Sequence, residues 1–163
     1  MKEELLILMP AIRRFAYSLT GSSQDADDLL QNTVERVLSR GVPDDVELVK
    51  WAFRVCRNLW IDEYRARKVR RNDADVAALL DEQTIDGEKI ICDQITLQQV
   101  NNAMAKLPDD QRSILALVAV QGMSYKEVAE TLSIPIGTVM SRLARARIAL
   151  SQYLKTTALE ISQ

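Results

Sequence analysis

The chain has 163 residues, 47% of them hydrophobic, with 21 Lys and Arg against 23 Asp and Glu for a net charge of −2. That length and apolar fraction suit one compact domain or two small ones with a buried core. With no histidine and only Cys56 and Cys92 as thiols, neither a zinc centre nor a histidine-based triad is expected, and so no metal and no cofactor.

Five glycines and four prolines among many Leu, Ala, Val and Glu favour helices over a turn-rich sheet, so the expected fold is all-α. No apolar run nears the roughly 18 residues of a membrane span, and Met1-Lys2-Glu3-Glu4 is not the start of a secretory signal. A cytoplasmic chain with reduced thiols and no membrane insertion is the expectation.

The first segment, LLILMPAIRRFAYSL, is apolar with an interruption at Pro10, and Thr20 to Ser23 supplies turn chemistry. A second helix is predicted from Gln24 to Ser39, with Ser22 or Ser23 as N-cap and Asp25, Asp27 and Asp28 in the first turn. Gly41-Val42-Pro43 ends it. After a loop, a long helix is predicted from about Leu48 to Arg71. At about 100° per residue, Trp51, Ala52, Val55, Cys56 and Leu59 share one arc, and Arg54, Arg57, Asn58, Arg65 and Lys68 another.

Residues 73 to 94 have weak periodicity and read as a tether, with a brief helical turn at Val76 to Leu80. A helix through Ile95, Leu97, Val100, Met104 and Leu107 stops at Pro108, and another runs from Asp109 to Gln121 before Gly122. The expected organisation is therefore residues 1–72 and 95–163 as two small helical domains, joined by a linker at 73–94. Charge divides along the same lines. Residues 1–72 hold 13 basic and 11 acidic side chains, 97–163 hold 7 and 5, and 73–96 hold seven acids against Lys89. The negative charge sits in the linker.

The stretch SYKEVAETLSIPIGTVMSRLARARIAL then reads as a helix-turn-helix. Ser124 and Glu127 form a capping box, Val128, Ala129 and Leu132 face inward, and Ser133-Ile134-Pro135 breaks the helix. On the second helix Ile136, Val139, Leu143, Ala146 and Leu150 share an inward arc. Thr138, Ser141, Arg142 and Arg145 share another, suited to guanine edges and phosphates in a major groove. Arg147 points away from that set, toward a phosphate or an internal ion pair.

LPDDQRSILALVAVQGMSYKEVAETLSIPIGTVMSRLARARIAL resembles the sigma-four domain of the extracytoplasmic-function (ECF) RNA polymerase sigma factors. DADDLLQNTVERVL with WAFRVCRNLWIDEYRARKVRR resembles their sigma-two domain. The resemblance covers nearly the whole chain and implies a non-enzymatic subunit that binds core RNA polymerase and directs it to promoters. It implies that Asp27, Asp28, Gln31 and Glu35 dock on the β′ clamp helices, with the β flap as a further polymerase contact. It assigns Asn58, Asp62, Arg65, Arg67 and Lys68 to the melted minus-ten strand and Thr138, Ser141, Arg142 and Arg145 to the minus-35 duplex. The partners implied are core polymerase, promoter DNA both duplex and melted, and an anti-sigma factor, with no small-molecule substrate.

Two departures stand out. The loop from Gly41 to Leu48 lacks the aromatic often found there, and Met140 takes the place of a basic residue. Phe53, Trp60 and Tyr64 either stack on bases or fill the core. The acidic segment either threads the channel of nascent RNA or is a plain tether. The alternatives to a sigma factor are a helix-turn-helix regulator binding duplex operators without polymerase, or an enzyme or small-molecule binder using the Asp-rich helix.

Overall fold

The computed structural model describes residues 1–65 and 96–162. The linker, its Val76 to Leu80 turn, Cys92, Arg67, Lys68 and the Arg65 side chain lie outside the described residues. Within them the chain is helical and contains no strand. The helices are α1 (Lys2–Thr20), α2 (Ser23–Arg40), α3 (Leu48–Leu59), α4 (Leu97–Ala105), α5 (Asp109–Ala119), α6 (Tyr125–Leu132) and α7 (Ile136–Ser162).

Pro10 does not interrupt α1, which runs through it. A helical proline leaves the carbonyl four residues earlier unbonded. Here that residue is Leu6, which lies on the exposed side of α1. Gly21 ends α1 at φ 72°, returning its N–H to the Tyr17 carbonyl at 2.7 Å. This is the left-handed C-cap that glycine adopts without a Cβ clash. Ser22, rather than Ser23, caps α2, its hydroxyl accepting from the Asp25 N–H at 3.3 Å.

The expected long third helix changes character partway. After Leu59 it widens into a π-helical turn, Trp60–Arg65, a feature that a 100° periodicity cannot anticipate. Its aromatics face inward in this arrangement: Phe53, Trp60 and Tyr64 are all buried. Phe53 meets Phe15 of α1 edge-on at 5.4 Å, and Asn32 of α2 donates to the Tyr64 hydroxyl at 2.7 Å. Trp51, expected inward, is only half-buried.

In the second half, Thr96 and Gln99 form a capping box on α4, and Ser124 and Glu127 form the expected one on α6. The middle of α5 is buried on every side from Arg112 to Leu117, because α1 packs on one flank and α6 and α7 on another. One apolar core therefore runs through both halves, from Leu5, Ile12 and Phe15 to Val128, Val139 and Leu143. Among the described helices none is long and apolar enough to cross a membrane.

Candidate nucleic-acid interface

The helix-turn-helix is built by local chemistry. The Ser124 hydroxyl accepts from the Glu127 N–H at 3.1 Å and the Glu127 carboxylate from the Ser124 N–H at 3.3 Å, satisfying two donors at the start of α6. Ser133 closes that helix in the left-handed region at φ 56° and ψ 47°, its N–H bonded to the Ala129 carbonyl. A non-glycine residue held there costs on the order of 1–2 kcal/mol, and α7 begins three residues later.

On α7, Val139, Leu143 and Ala146 are buried. Ile136, expected with them, is 48% exposed, because it precedes the point where α7 meets the core. The four predicted duplex contacts divide. Ser141 and Arg145 are exposed, whereas Thr138 and Arg142 are half-buried on the flank, with Arg142 Nε 3.8 Å from an Asp110 carboxylate oxygen. The outward line instead carries Gly137, Met140, Ser141, Ala144, Arg145 and Ile148. Met140 and Ala144 were not among the predicted contacts, although the burial of Val139, Leu143 and Ala146 places Ala144 on the far side and Met140 on the flank beside it.

Of the minus-ten set, Asn58 and Asp62 are exposed. They line a cleft of about 170 Å³ between α2 and α3 that also involves Arg36, Arg40, Trp51, Val55 and Leu59. Trp51, with the Arg54 guanidinium 5.8 Å from its ring centre, is the aromatic that this cleft offers, in place of the buried three. Along α2, Asp27, Asp28, Gln31 and Glu35 are all exposed. They form one polar strip opposite buried Ala26, Leu29, Thr33 and Val37. Arg13 of α1 donates to Asp27 at 2.7 Å, and among the described residues the other three are exposed.

The basic side of α3 is turned toward the helix-turn-helix. Lys50 pairs with Glu130 of α6 and lies 3.8 Å from Glu47. Arg54 donates to the Ser133 hydroxyl at 3.0 Å. The Glu130 hydrogen bond raises the Lys50 pKa, and the same bond lowers that of Glu130. Arg57 is pushed down by burial, and its Nε finds no acceptor among the described residues.

Arg112 of α5 reaches furthest across the junction. Its Nε donates to the Ser18 carbonyl in the last turn of α1 at 2.9 Å, and its guanidinium lies 5.6 Å from the Trp60 ring centre. Desolvation lowers its pKa to about 10. The α1 C-terminus has no basic residue of its own, so Arg112 supplies the cation that its dipole favours. Asn101 donates to the Tyr17 hydroxyl at 2.8 Å and Gln121 to the Ala11 carbonyl at 3.0 Å, completing a polar seam around Arg112.

Family comparison matches residues 7–70 to sigma-70 region 2 and residues 97–150 to sigma-70 region 4. The helix-turn-helix and the strip-bearing helix thus both lie within parts of a sigma-70-type chain. The ECF RNA polymerase sigma factor EcfG of Rhodopseudomonas palustris (strain TIE-1) is 34% identical over 156 residues, covering 94% of this chain and 84% of that one. The sigma factor RpoE of Bartonella quintana, solved with the anti-sigma factor NepR, superposes with a TM-score of 0.66 at 28% identity, covering 94% and 96% of the two chains. CnrH, solved with the cytosolic domain of CnrY, superposes at 0.69 with 25% identity, covering 95% and 87%. The chain belongs to the ECF group of RNA polymerase sigma factors.

Proposed function

We propose that this sigma factor divides its work among three surfaces: the α2 strip for the β′ clamp helices, the α2–α3 cleft for the melted minus-ten strand, and the outward line of α7 for the minus-35 duplex. The observation that carries this reading is the uncovered Asp28, Gln31 and Glu35 strip on α2. A protein that only bound duplex operators would have no need of it. The β flap is the expected polymerase contact of the second half, and residues 73–94 with their excess of acids join the two halves. The chain works in the cytoplasm as a specificity subunit, without catalysis of its own.

Size determines when those surfaces act. A globule of 163 residues has a radius of gyration of about 15 Å and a diameter of about 40 Å. Promoter elements about 25 base pairs apart are separated by about 85 Å at 3.4 Å per step. The closed arrangement cannot reach both. It is the polymerase-free form, and the Lys50, Arg54 and Arg112 contacts break when the halves mount separately on polymerase. An anti-sigma factor, like those solved with RpoE and CnrH, would act by holding the docking strip covered.

Purified protein added to bacterial core polymerase is expected to yield promoter-specific transcripts. Arg145→Ala should weaken selection of the minus-35 element about 10- to 100-fold, the worth of a bidentate arginine–guanine pair, while core binding persists. Operator binding with no effect on core polymerase would establish the regulator instead.

A further inference from the structure

We propose that Met140, with Ala144 one turn further on, reads thymine C5-methyl groups in the minus-35 element. The inference deepens the proposed function and rests on it.

Met140 is 52% exposed, about 100° around α7 from buried Val139 and on the same flank as Ala144 one turn on. Ala144, Ser141 and Arg145 continue the exposed surface of α7 from there, and among the described residues none of the four is buried. The charge around that thioether says what kind of partner the surface fits. From Ile136 to Lys155 the helix carries Arg142, Arg145, Arg147 and Lys155 and no acid, a surface matched to phosphate. At 1.5 Å per residue, Met140 and Ala144 stand about 6 Å apart along the helix, within its first three turns. That spacing spans about two base-pair steps. Ile148 lies a further turn out, toward the edge of a groove.

On the floor of a major groove thymine presents the only methyl group, and apolar side chains recognise it by contact. Methionine has no N–H or O–H to offer guanine O6 or N7, and its flexible, polarizable stem adapts to an apolar contact. The basic residue that the family resemblance led one to expect at this position would bond an acceptor. Methionine exchanges that bond for methyl recognition, so the site has a different base preference rather than a missing contact.

The test begins with a promoter selected from a random-sequence library by transcription with this protein and bacterial core polymerase. Each thymine of the minus-35 element, on both strands, is replaced in turn by deoxyuridine, and templates compete at subsaturating holoenzyme. Loss of the methyl at one position or two adjacent ones is expected to lower selection about fourfold, the effect of one buried methyl group. With Met140→Ala, an exposed substitution that leaves the core untouched, the same uracil should change selection by less than about 1.5-fold. A flat uracil scan, an equal loss in Met140→Ala, or a selected element with no A·T pair would overturn the proposal while leaving the sigma function standing. A flat scan joined to loss of a protein–protein association in Met140→Ala would give the surface to a protein partner and also overturn it. Absence of any promoter-directed transcript would sink both readings together.

Discussion

Replacing Arg112 by Met keeps an unbranched stem and removes the guanidinium that bridges α5 to α1 and to Trp60. The magnitudes nearly cancel. Burial lowers the Arg112 pKa from 12.5 to about 10, so holding the charge there costs about 3.5 kcal/mol at about 1.4 kcal/mol per unit. Against this, a charge-assisted bond to the Ser18 carbonyl contributes about 1.5–3 kcal/mol and the Trp60 face about 0.5–2 kcal/mol. Arg112→Met should therefore change the stability of the closed form by less than about 1.5 kcal/mol in either direction. Arg112→Ala loses two methylenes at about 0.8 kcal/mol each and leaves a cavity, for a total of about 2–4 kcal/mol. The assay is urea-induced separation of the halves, followed by energy transfer between dyes on Ser39→Cys and Ser151→Cys in a Cys92→Ser background. Both dye positions are exposed and Cys56 is buried, so only the two introduced thiols label. If Met were as damaging as Ala, the charge rather than the stem would hold the junction and the reasoning would be wrong.

The same dye pair tests the Lys50–Glu130 contact. Lys50→Glu should favour the separated state by facing Glu130 and Glu47 with a like charge, and adding Glu130→Lys should restore closure; a double variant as open as the single ones would refute the pairing. The effect should shrink as salt rises. Because Glu130 has a lowered pKa, its contribution is present at neutral pH and lost as pH falls through that lowered value. Cys56 behaves in the opposite sense. Burial raises its pKa from 9.0 to about 12, so the native state keeps a proton that the unfolded chain releases. Its stabilising contribution is complete below pH 9 and falls by about 1.4 kcal/mol for each unit up to about 12. Unfolding free energies of the wild type and Cys56→Ala from urea titration should diverge by about 1 kcal/mol between pH 9 and 10, whereas a constant difference would show that the thiol is not held protonated.

Much of the architecture could be read locally. Ser22, Thr96 and Ser124 start helices because a side-chain oxygen placed just before an apolar repeat meets backbone donors three residues on, a relation contained in a few consecutive residues. The inward residues Val139, Leu143 and Ala146, and the outward strip of Asp27, Asp28, Gln31 and Glu35, follow equally from helical spacing. Pro10 misled because proline's effect on a helix depends on whether water reaches the carbonyl it orphans, and exposure is not a local property.

The sequence by itself determined the all-helical class, the capping box at Ser124, the apolar stripe of α2 and the segregation of negative charge into residues 73–96, since each depends on neighbours within one or two turns. Only the tertiary structure decided that Arg112 is buried, that Lys50 and Arg54 face α6, and that Arg142 turns aside while Met140 looks outward. Periodicity reports that one face of a helix is apolar. It carries no mark of a second body covering a polar face, because those contacts join residues about 80 to 95 positions apart through charge and hydrogen bonding rather than through a repeating apolar pattern.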